Sequence, residues 1–302
     1  MAILGILVGL SASGKSTMAD RLKSKGYKIV SSDAIREELS FYEDQSRNNE
    51  VFKIFHKRIG DYLENGENVV AYATNLTIKS RKSIIDIGKK YNANIKCIIV
   101  ASHINECIAR DKTREHSVGM EVIRRQALRF EVPFYEEGFD DIFVSNGNNT
   151  NPYEIMKYFN LMVGFDQCNP YHSHDLDLHC KLVTNNVMNN SEFYKSVGHK
   201  HRLAIFDGCM LHDIGKTFTQ KFDENGVAHY YNHSNIGAYY MLNEWCRNGL
   251  IDKYILIRLF IINYHMRPFD WNTPKAIQKA KNRYGEKNFQ MLMEINEADT
   301  NA

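Results

Sequence analysis

Residues 9–17 form one glycine-rich stretch, Gly9-Leu10-Ser11-Ala12-Ser13-Gly14-Lys15-Ser16-Thr17. The apolar run 3–8 before it predicts a buried strand, and residues 18–25 after it predict the start of a helix. A strand, the spacing G-x-x-x-x-G-K-S and a helix are together the pattern of a P-loop. An unliganded turn between strand and helix is the alternative, but strand, spacing, Lys and Ser all agree with the P-loop.

The chemistry of a P-loop requires these residue types. Gly9 and Gly14 let the backbone turn tightly and approach a phosphate chain. The loop N–H groups face phosphate oxygens, Lys15 can bridge the β- and γ-phosphates, and the Ser16 hydroxyl can bind Mg²⁺. The sequence therefore predicts a site for ATP, or another nucleoside triphosphate, with Mg²⁺. Its predicted members are Gly9, Ser11, Ala12, Ser13, Gly14, Lys15, Ser16 and Thr17.

The composition is that of an ordinary soluble globular protein. The 302 residues suffice for two domains, with 43% hydrophobic and 25% charged residues. The net charge of +2 excludes a strongly basic surface, so any nucleic acid would be held in a local groove. The six Cys form no C-x-x-C pair, which favours a reducing compartment. The apolar run at the start is too short to span a membrane. We expect a cytoplasmic protein with no membrane partner.

Further apolar runs predict a parallel sheet with flanking helices. Residues 27–31, 67–72 and 95–101 are predicted strands, and 142–144 is a predicted last edge strand. Asp33 comes just after the first of these runs, residues 27–31. Ligands of open α/β sheets lie at the carboxyl ends of the strands, so Asp33 is expected to face the phosphates and to accept a proton from an attacking hydroxyl. The alternative role for Asp33 is a helix N-cap.

A basic cluster, Arg110-Asp111-Lys112-Thr113-Arg114, follows the fourth predicted strand. A solvated helix face is the ordinary reason for such a cluster. At this place in a P-loop kinase, it would instead be a lid that closes arginines over the transferred phosphate.

The first half resembles the polynucleotide kinase branch of the P-loop kinases over about residues 1–145. The matching segments are the P-loop, Ser32-Asp33 with Arg36, Thr74-Asn75-Leu76 with Arg81, the basic cluster at 110–114, 130–133 and 137–140. The resemblance implies that Asp33 is the general base toward a 5′-hydroxyl, that Arg36 holds the acceptor phosphate, and that Arg110 and Arg114 belong to the lid. It also places Asn75 and Arg81 among the substrate-binding residues. The family usually has an acid just before the Thr-Asn pair, where this chain has Tyr72 and Ala73.

The character of the sequence changes after residues 145–152, which have the Asn, Gly and Pro content of a linker. We predict a kinase domain over 1–148 and an all-α domain over 149–302. Nine of the twelve His lie between 172 and 265, and His212-Asp213 follows an apolar stretch. Imidazole and carboxylate ligands suit Mn, Fe, Co, Ni or Zn. The ordered set that predicts a metal site is His179, His212, Asp213, His233, His265 and Asp299.

The second half resembles the HD phosphohydrolase superfamily over about residues 165–302. The matching segments are 169–172, His179, 211–216, 233–238, 265–268 and 297–299. The resemblance implies one or two divalent metals, Mg included, with His179, His212, Asp213 and Asp299 at one site. His233 and His265 would complete a second site with Asp213. Lys216, Arg267 and His172 would contact the substrate phosphate.

Two phosphate chemistries on one chain predict a common substrate. We expect a bifunctional end-healing enzyme that phosphorylates the 5′-OH of RNA or DNA and removes a 2′,3′-cyclic or 3′-phosphate. A separate ligase could then seal the two ends. Two alternatives stay open. One is a small-molecule or nucleoside kinase fused to a nucleotide phosphohydrolase, and the other is an NTP-binding module that regulates the HD site.

Overall fold

The structure is a computed structural model that describes residues 1–39, 47–145, 158–170, 173–247 and 252–302. His172 and all of the predicted linker except Ser145 lie outside the described residues. The chain divides into two compact units. Unit 1 comprises Met1–Gln126 and Pro133–Gly147, and unit 2 comprises Ala127–Val132 and Asn148–Ala302. The predicted boundary at residue 148 put Ala127–Val132 in the first domain, whereas they pack within unit 2.

Unit 1 is built on a five-stranded parallel sheet with the strand order β2-β3-β1-β4-β5. The strands are β1 (Ile3–Val8), β2 (Lys28–Ser31), β3 (Val69–Tyr72), β4 (Asn94–Val100) and β5 (Asp141–Ser145). The prediction of a parallel sheet is confirmed. The central strand β1 is almost entirely buried because both of its faces are covered, which explains its unbroken apolar sequence.

Helices connect these strands, as parallel pairing requires. They are α1 (Lys15–Lys23), α2 (Ser32–Glu38), α3 (Asn48–Glu64), α4 (Ile78–Lys90), α5 (Ile104–Asp111) and α6 (Met120–Ala127). A short 3₁₀ turn covers Tyr135–Glu137 before β5. Thr77 and Ser80 form a capping box that begins α4. The P-loop follows β1, and the Gly9 amide donates to the Thr74 carbonyl just after β3 at 3.1 Å, so these two loops meet at the carboxyl edge of the sheet.

Unit 2 is mainly helical. Its helices are α7 (Leu176–Asn190), α8 (Glu192–Ser196), α9 (His199–Met210), α10 (Lys216–Thr219), α11 (His233–Arg247), α12 (Ile255–Tyr264), α13 (Pro274–Tyr284) and α14 (Glu286–Thr300). The prediction of an all-α domain needs one correction. A two-stranded antiparallel hairpin, β6 (Lys221–Phe222) and β7 (Ala228–His229), interrupts the helices. Its turn contains Asn225-Gly226, and Gly226 has φ +76°, a conformation that favours glycine.

The segment Ala127–Val132 packs against α11 and α12. The Phe130 ring is fully buried and lies edge-on to Tyr239, with 5.1 Å between ring centroids. Asn263 accepts from the Val132 amide at 2.7 Å, and the Tyr264 hydroxyl donates to the Val132 carbonyl at 2.8 Å. Unit 2 therefore includes buried polar partners that come from before the predicted boundary.

Two general expectations concern the cysteines and the membrane. All six Cys are free thiols. Among the described residues, no helix combines the length and the apolar character that crossing a bilayer requires.

Candidate nucleotide and metal sites

The P-loop has the tight backbone that its glycines predict. Gly14 has φ +98°, so a side chain there would strain the backbone. A Cβ on Gly9 would lie only 2.6 Å from the Val100 carbonyl oxygen, so this position has no room for a side chain. Ala12 also has a positive φ of +59°, which the sequence pattern did not predict. The loop is thus folded back on the ends of β1 and β4.

Lys15 is buried inside this loop, with 6% of its surface exposed. Its Nζ donates to the carbonyl oxygens of Gly9 at 3.1 Å and Leu10 at 2.5 Å. Burial lowers the pKa of Lys15 to about 8, while neighbouring Cys107 and the Asp33 carboxylate oppose this shift. The ammonium group is therefore held by carbonyl dipoles, in a place where a phosphate would give it a full negative partner.

The P-loop is positioned by two residues that the motif did not predict. The Gln126 side chain accepts from the Ser11 amide at 2.8 Å and donates to the Ser11 hydroxyl at 2.9 Å. The Ser102 hydroxyl donates to the Ser13 carbonyl at 2.9 Å and accepts from Arg110 at 3.0 Å. Gln126 and Ser102 are far from residues 9–17 in sequence, so no local pattern could have identified them.

Asp33 lies in the first turn of α2 and is exposed. The N-cap of this helix is Ser31, whose hydroxyl accepts from the Ala34 amide at 3.2 Å. The capping role that was the alternative for Asp33 is therefore taken by another residue. Arg36 is 8% exposed and donates through Nη2 to Asn48. Its Nη1 is buried and has no hydrogen-bond partner among the described residues.

Asn75 and Arg81 are buried and bonded to the protein itself. The Asn75 amide donates to the Leu7 carbonyl at 2.8 Å, and Asn75 has φ +48°. Arg81 forms a bidentate pair with Glu137, at 2.8 Å and 2.7 Å, and donates to the Asn75 carbonyl at 3.2 Å. Neither side chain reaches solvent. Both side chains therefore brace the loop after β3.

The basic cluster ends α5 and enters a loop that Asp111 organises. The Asp111 carboxylate accepts from the Ser117 hydroxyl at 2.6 Å, the Gly119 amide at 2.9 Å and the Val118 amide at 3.3 Å. Burial raises the pKa of Asp111, but these hydrogen bonds outweigh it and lower the pKa below its usual value. Arg110 in the last turn of α5 and Arg114 in the loop that follows are both exposed to solvent.

Tyr72 stands where the resembled family has an acid. It is the last residue of β3 and is half-buried. Burial, followed by the charge of Asp33, raises the pKa of Tyr72.

In unit 2, six predicted ligands converge from five parts of the chain. His179 lies in α7, His233 begins α11, His265 follows α12, Asp299 lies in α14, and His212-Asp213 follow α9. His179 Nε2 is 2.9 Å from Asp299 Oδ1. Asp213 Oδ1 is 3.1 Å from His233 Nε2 and 3.3 Å from His265 Nε2. We call these six residues the His/Asp cluster.

Three imidazoles of the cluster are oriented by the backbone. The Nδ1 atoms of His212, His233 and His265 lie 2.7, 2.9 and 3.0 Å from the carbonyl oxygens of Cys209, Tyr230 and Ile262. A ring that donates from Nδ1 offers a lone pair at Nε2, and metal-binding His side chains are commonly held in this way. His233 Nε2 and His265 Nε2 are only 3.2 Å apart. Two facing lone pairs need a proton or a cation between them.

The environment of His212 also favours positive charge. Its Nε2 is buried with no hydrogen-bond partner among the described residues, 3.5 Å from Asp213 Oδ2 and 3.6 Å from Asp299 Oδ1. Burial would lower the pKa of His212, but Cys180, Asp213 and Asp299 raise it well above its usual value. The ligand atoms of His179, His212 and Asp299, and those of His212, Asp213 and His265, lie within 4.8 Å of one another. The donor set could hold a divalent metal.

Lys216 is a buried partner of the cluster. Its Nζ is 2.7 Å from Asp213 Oδ2 and donates to Gln167 Oε1 at 2.8 Å. Burial would raise the pKa of Asp213, but Lys216 and His212 hold it well below its usual value. Arg267 is 40% exposed and pairs with Glu131 at 3.1 Å. Gln167 and Glu131 were not predicted, because they precede the ligand motifs in sequence and meet them only in the fold.

Comparisons with known proteins match the first part of the chain. A family model described as an AAA domain matches residues 4–133. The bifunctional polynucleotide phosphatase/kinase of Schizosaccharomyces pombe is 28% identical over 149 residues, which cover 45% of this chain and 32% of that protein. The chain thus spans about a third of the length of this curated relative. A crystal structure described as "a putative kinase" from Chloroflexus aurantiacus aligns with 16% identity and a TM-score of 0.38, covering 48% of this chain and 84% of that one.

Proposed function

We propose that this protein is a bifunctional enzyme that heals nucleic-acid ends. Unit 1 would transfer the γ-phosphate of ATP to a 5′-hydroxyl of RNA or DNA. Unit 2 would be an HD-type, metal-dependent phosphohydrolase that removes a 2′,3′-cyclic or 3′-phosphate. The products, a 5′-phosphate and a 3′-hydroxyl, are the ends that a ligase joins.

Support for the kinase activity comes from the P-loop, the five-stranded parallel sheet and the similarity to the polynucleotide phosphatase/kinase. In this proposal Lys15 leaves its carbonyl partners to bind the β- and γ-phosphates. The exposed Asp33 orients the attacking hydroxyl and accepts its proton. Arg110, in the last turn of α5, and Arg114, in the loop that Asp111 holds, would bind the transferring phosphate. Mg²⁺, bound through Ser16, would neutralise charge on the nucleotide.

Support for the hydrolase activity comes from the His/Asp cluster. The observation that carries it is the convergence of oriented, buried Nε2 atoms on two carboxylates. The cluster would hold one or two divalent metals, which activate water and stabilise phosphoryl oxygens when bound. Lys216 would set the position of Asp213 through its 2.7 Å contact. Arg267, which is partly exposed, would bind the substrate phosphate.

The experiment is to measure both activities in single variants of the full chain. The substrates are 5′-OH oligonucleotides with labelled ATP, and an RNA that ends in a 2′,3′-cyclic phosphate. Asp33→Ala should lower phosphate transfer by roughly 10²-fold or more. Glu37→Ala, which removes another exposed acid of α2, is the matched control and should be near wild type.

His212→Ala should lose bound transition metal and the removal of the 2′,3′-phosphate together. Wild-type protein that contains no metal and has no phosphatase activity would contradict the hydrolase assignment. Phosphorylation of nucleosides or small molecules, but not of oligonucleotides, would contradict the polynucleotide assignment. Nucleotide binding without turnover would favour a regulatory role for unit 1.

A further inference from the structure

Two stacked aromatic rings, those of His229 and Tyr231, come just before the cluster residue His233 in the chain, and neither belongs to the His/Asp cluster. The rings of His229 and Tyr231 are 5.8 Å apart between centroids, and their planes differ by only 8°. Tyr231 is 69% exposed, so most of this ring faces solvent despite the stack. Proteins that bind nucleotides commonly stack the nucleobase on an exposed aromatic ring.

The backbone places Tyr231 next to a predicted ligand. The Tyr230 carbonyl, which forms the peptide bond to Tyr231, is 2.9 Å from His233 Nδ1. Asn232, between Tyr231 and His233, has φ +59°, and its carbonyl accepts from the amides of Asn235 and Ile236 at 3.1 Å each. This sharp turn begins α11 at His233. The peptide between Tyr230 and Tyr231 therefore both orients the His233 ring and fixes the backbone from which the Tyr231 side chain extends.

His229, the second ring of the stack, lies on the hairpin, and Lys221 adds a positive charge beside it. His229 Nε2 is 3.2 Å from Asp223 Oδ2, which fixes the imidazole on the hairpin. In the register of β6 and β7, Lys221 is opposite His229 and Phe222 is opposite Ala228. Paired residues share a face and successive residues alternate. Lys221 therefore lies on the face of His229, and Phe222 lies on the other face.

We propose that His229 and Tyr231 form a platform for the base of a nucleotide whose phosphate ester lies at the His/Asp cluster. The inference rests on the proposed hydrolase function of unit 2 and narrows its substrates to phosphate esters that have a nucleobase. The base stacks on the exposed face of Tyr231, and His229 supports the opposite face. A phosphodiesterase that recognises only the phosphate ester would not need an aromatic surface for a base.

The test uses the full chain with its metal and two matched probes. One is adenosine 2′,3′-cyclic monophosphate, and the other is methyl riboside 2′,3′-cyclic phosphate, which has the same ester and no base. Tyr231→Ala should weaken binding of the adenosine probe about tenfold, by calorimetry and in KM, because one stacked base typically contributes that much. It should leave binding of the base-free probe unchanged.

Two controls separate stacking from structural damage. Tyr231→Phe keeps the ring and should retain wild-type affinity, whereas Phe222→Ala removes an exposed ring from the other face of the hairpin and should have no effect. An equal loss with both probes, an equal loss in Phe222→Ala, or no change in Tyr231→Ala would overturn the platform. Failure to hydrolyse either probe would contradict the hydrolase function instead, and the binding comparison would still test the platform.

Discussion

At the residue scale, Lys15 shows how a binding site can be prepared by an unfavourable environment. Its ammonium group is buried against two carbonyl oxygens, and burial lowers its pKa from 10.5 to about 8. Between pH 8 and about 10.5 the unfolded chain keeps a proton that folded Lys15 has lost. The contribution of Lys15 to the free energy of unfolding therefore rises with pH over this range. A bound triphosphate would reverse the shift by favouring the charged amine.

We expect ATP binding to take up a proton near pH 8. The complex holds more protons than the free protein above this pH, so the affinity for ATP should fall as the pH rises above about 8. Calorimetric titrations between pH 7 and 9.5, in buffers with different ionisation enthalpies, measure the uptake. Lys15→Arg is the control because a guanidinium does not titrate in this range. The same proton uptake in Lys15→Arg would assign the effect to another group.

At the scale of single elements, the loop after α5 depends on one carboxylate. Asp111 satisfies the Ser117 hydroxyl and two consecutive amides, Val118 and Gly119. Its pKa is lowered in the folded state, so the stability it supplies is present near neutral pH and is lost as the pH falls through that lowered pKa. The rigid end of the loop leaves Arg114 exposed above it.

Asp111→Ala should loosen this loop and lower kcat for phosphate transfer without preventing folding. The loss of a buried acceptor with several donors typically costs about 1–3 kcal/mol. Hydrogen exchange at the amides of Val118 and Gly119 should accelerate, which measures the loop directly. Glu115→Ala, in the same loop, removes an exposed carboxylate and should change neither kcat nor the hydrogen exchange of these amides. Unchanged amide exchange in Asp111→Ala would show that the loop has another support.

At the scale of the whole molecule, the division of the chain into two units does not follow a single cut. Ala127–Val132 belongs to unit 2, where Phe130 is fully buried and its carbonyl accepts from Asn235 at 2.7 Å. A fragment 149–302 would lose this ring and leave Asn235, Asn263 and Tyr264 without these partners. Loss of a buried Phe side chain alone typically costs about 3–5 kcal/mol.

A fragment 127–302 should therefore be markedly more stable than a fragment 149–302. Urea unfolding followed by circular dichroism compares the two, and bound metal reports whether the His/Asp cluster has formed. The control is Arg129→Ala in the longer fragment, because this exposed residue lies beside Phe130 and should not matter. Equal stability of the two fragments would mean that residues 127–132 contribute little to unit 2, as the predicted boundary at 148 implied.

The sequence by itself determined the features that depend on neighbours along the chain. The strand, P-loop and helix of residues 3–23 are local, because spacing and glycine conformation specify them. The apolar runs predicted all five parallel strands, and they are clearest for the central strand β1, which is buried on both faces. The order of His and Asp residues in the second half predicted the members of the cluster, although not their distances.

Only the tertiary structure decided which distant groups meet. The resemblance implied a substrate-binding role for Arg81, and the fold places its guanidinium in a buried ion pair with Glu137, 56 residues away. Gln126 reached Ser11 across 115 residues, and Phe130 reached Asn235 across 105. A buried ion pair or hydrogen bond between such residues depends on packing and solvent exclusion, neither of which has a period or a spacing in the sequence. The physical reason is that burial belongs to the fold as a whole, whereas propensity and motif belong to the local chain.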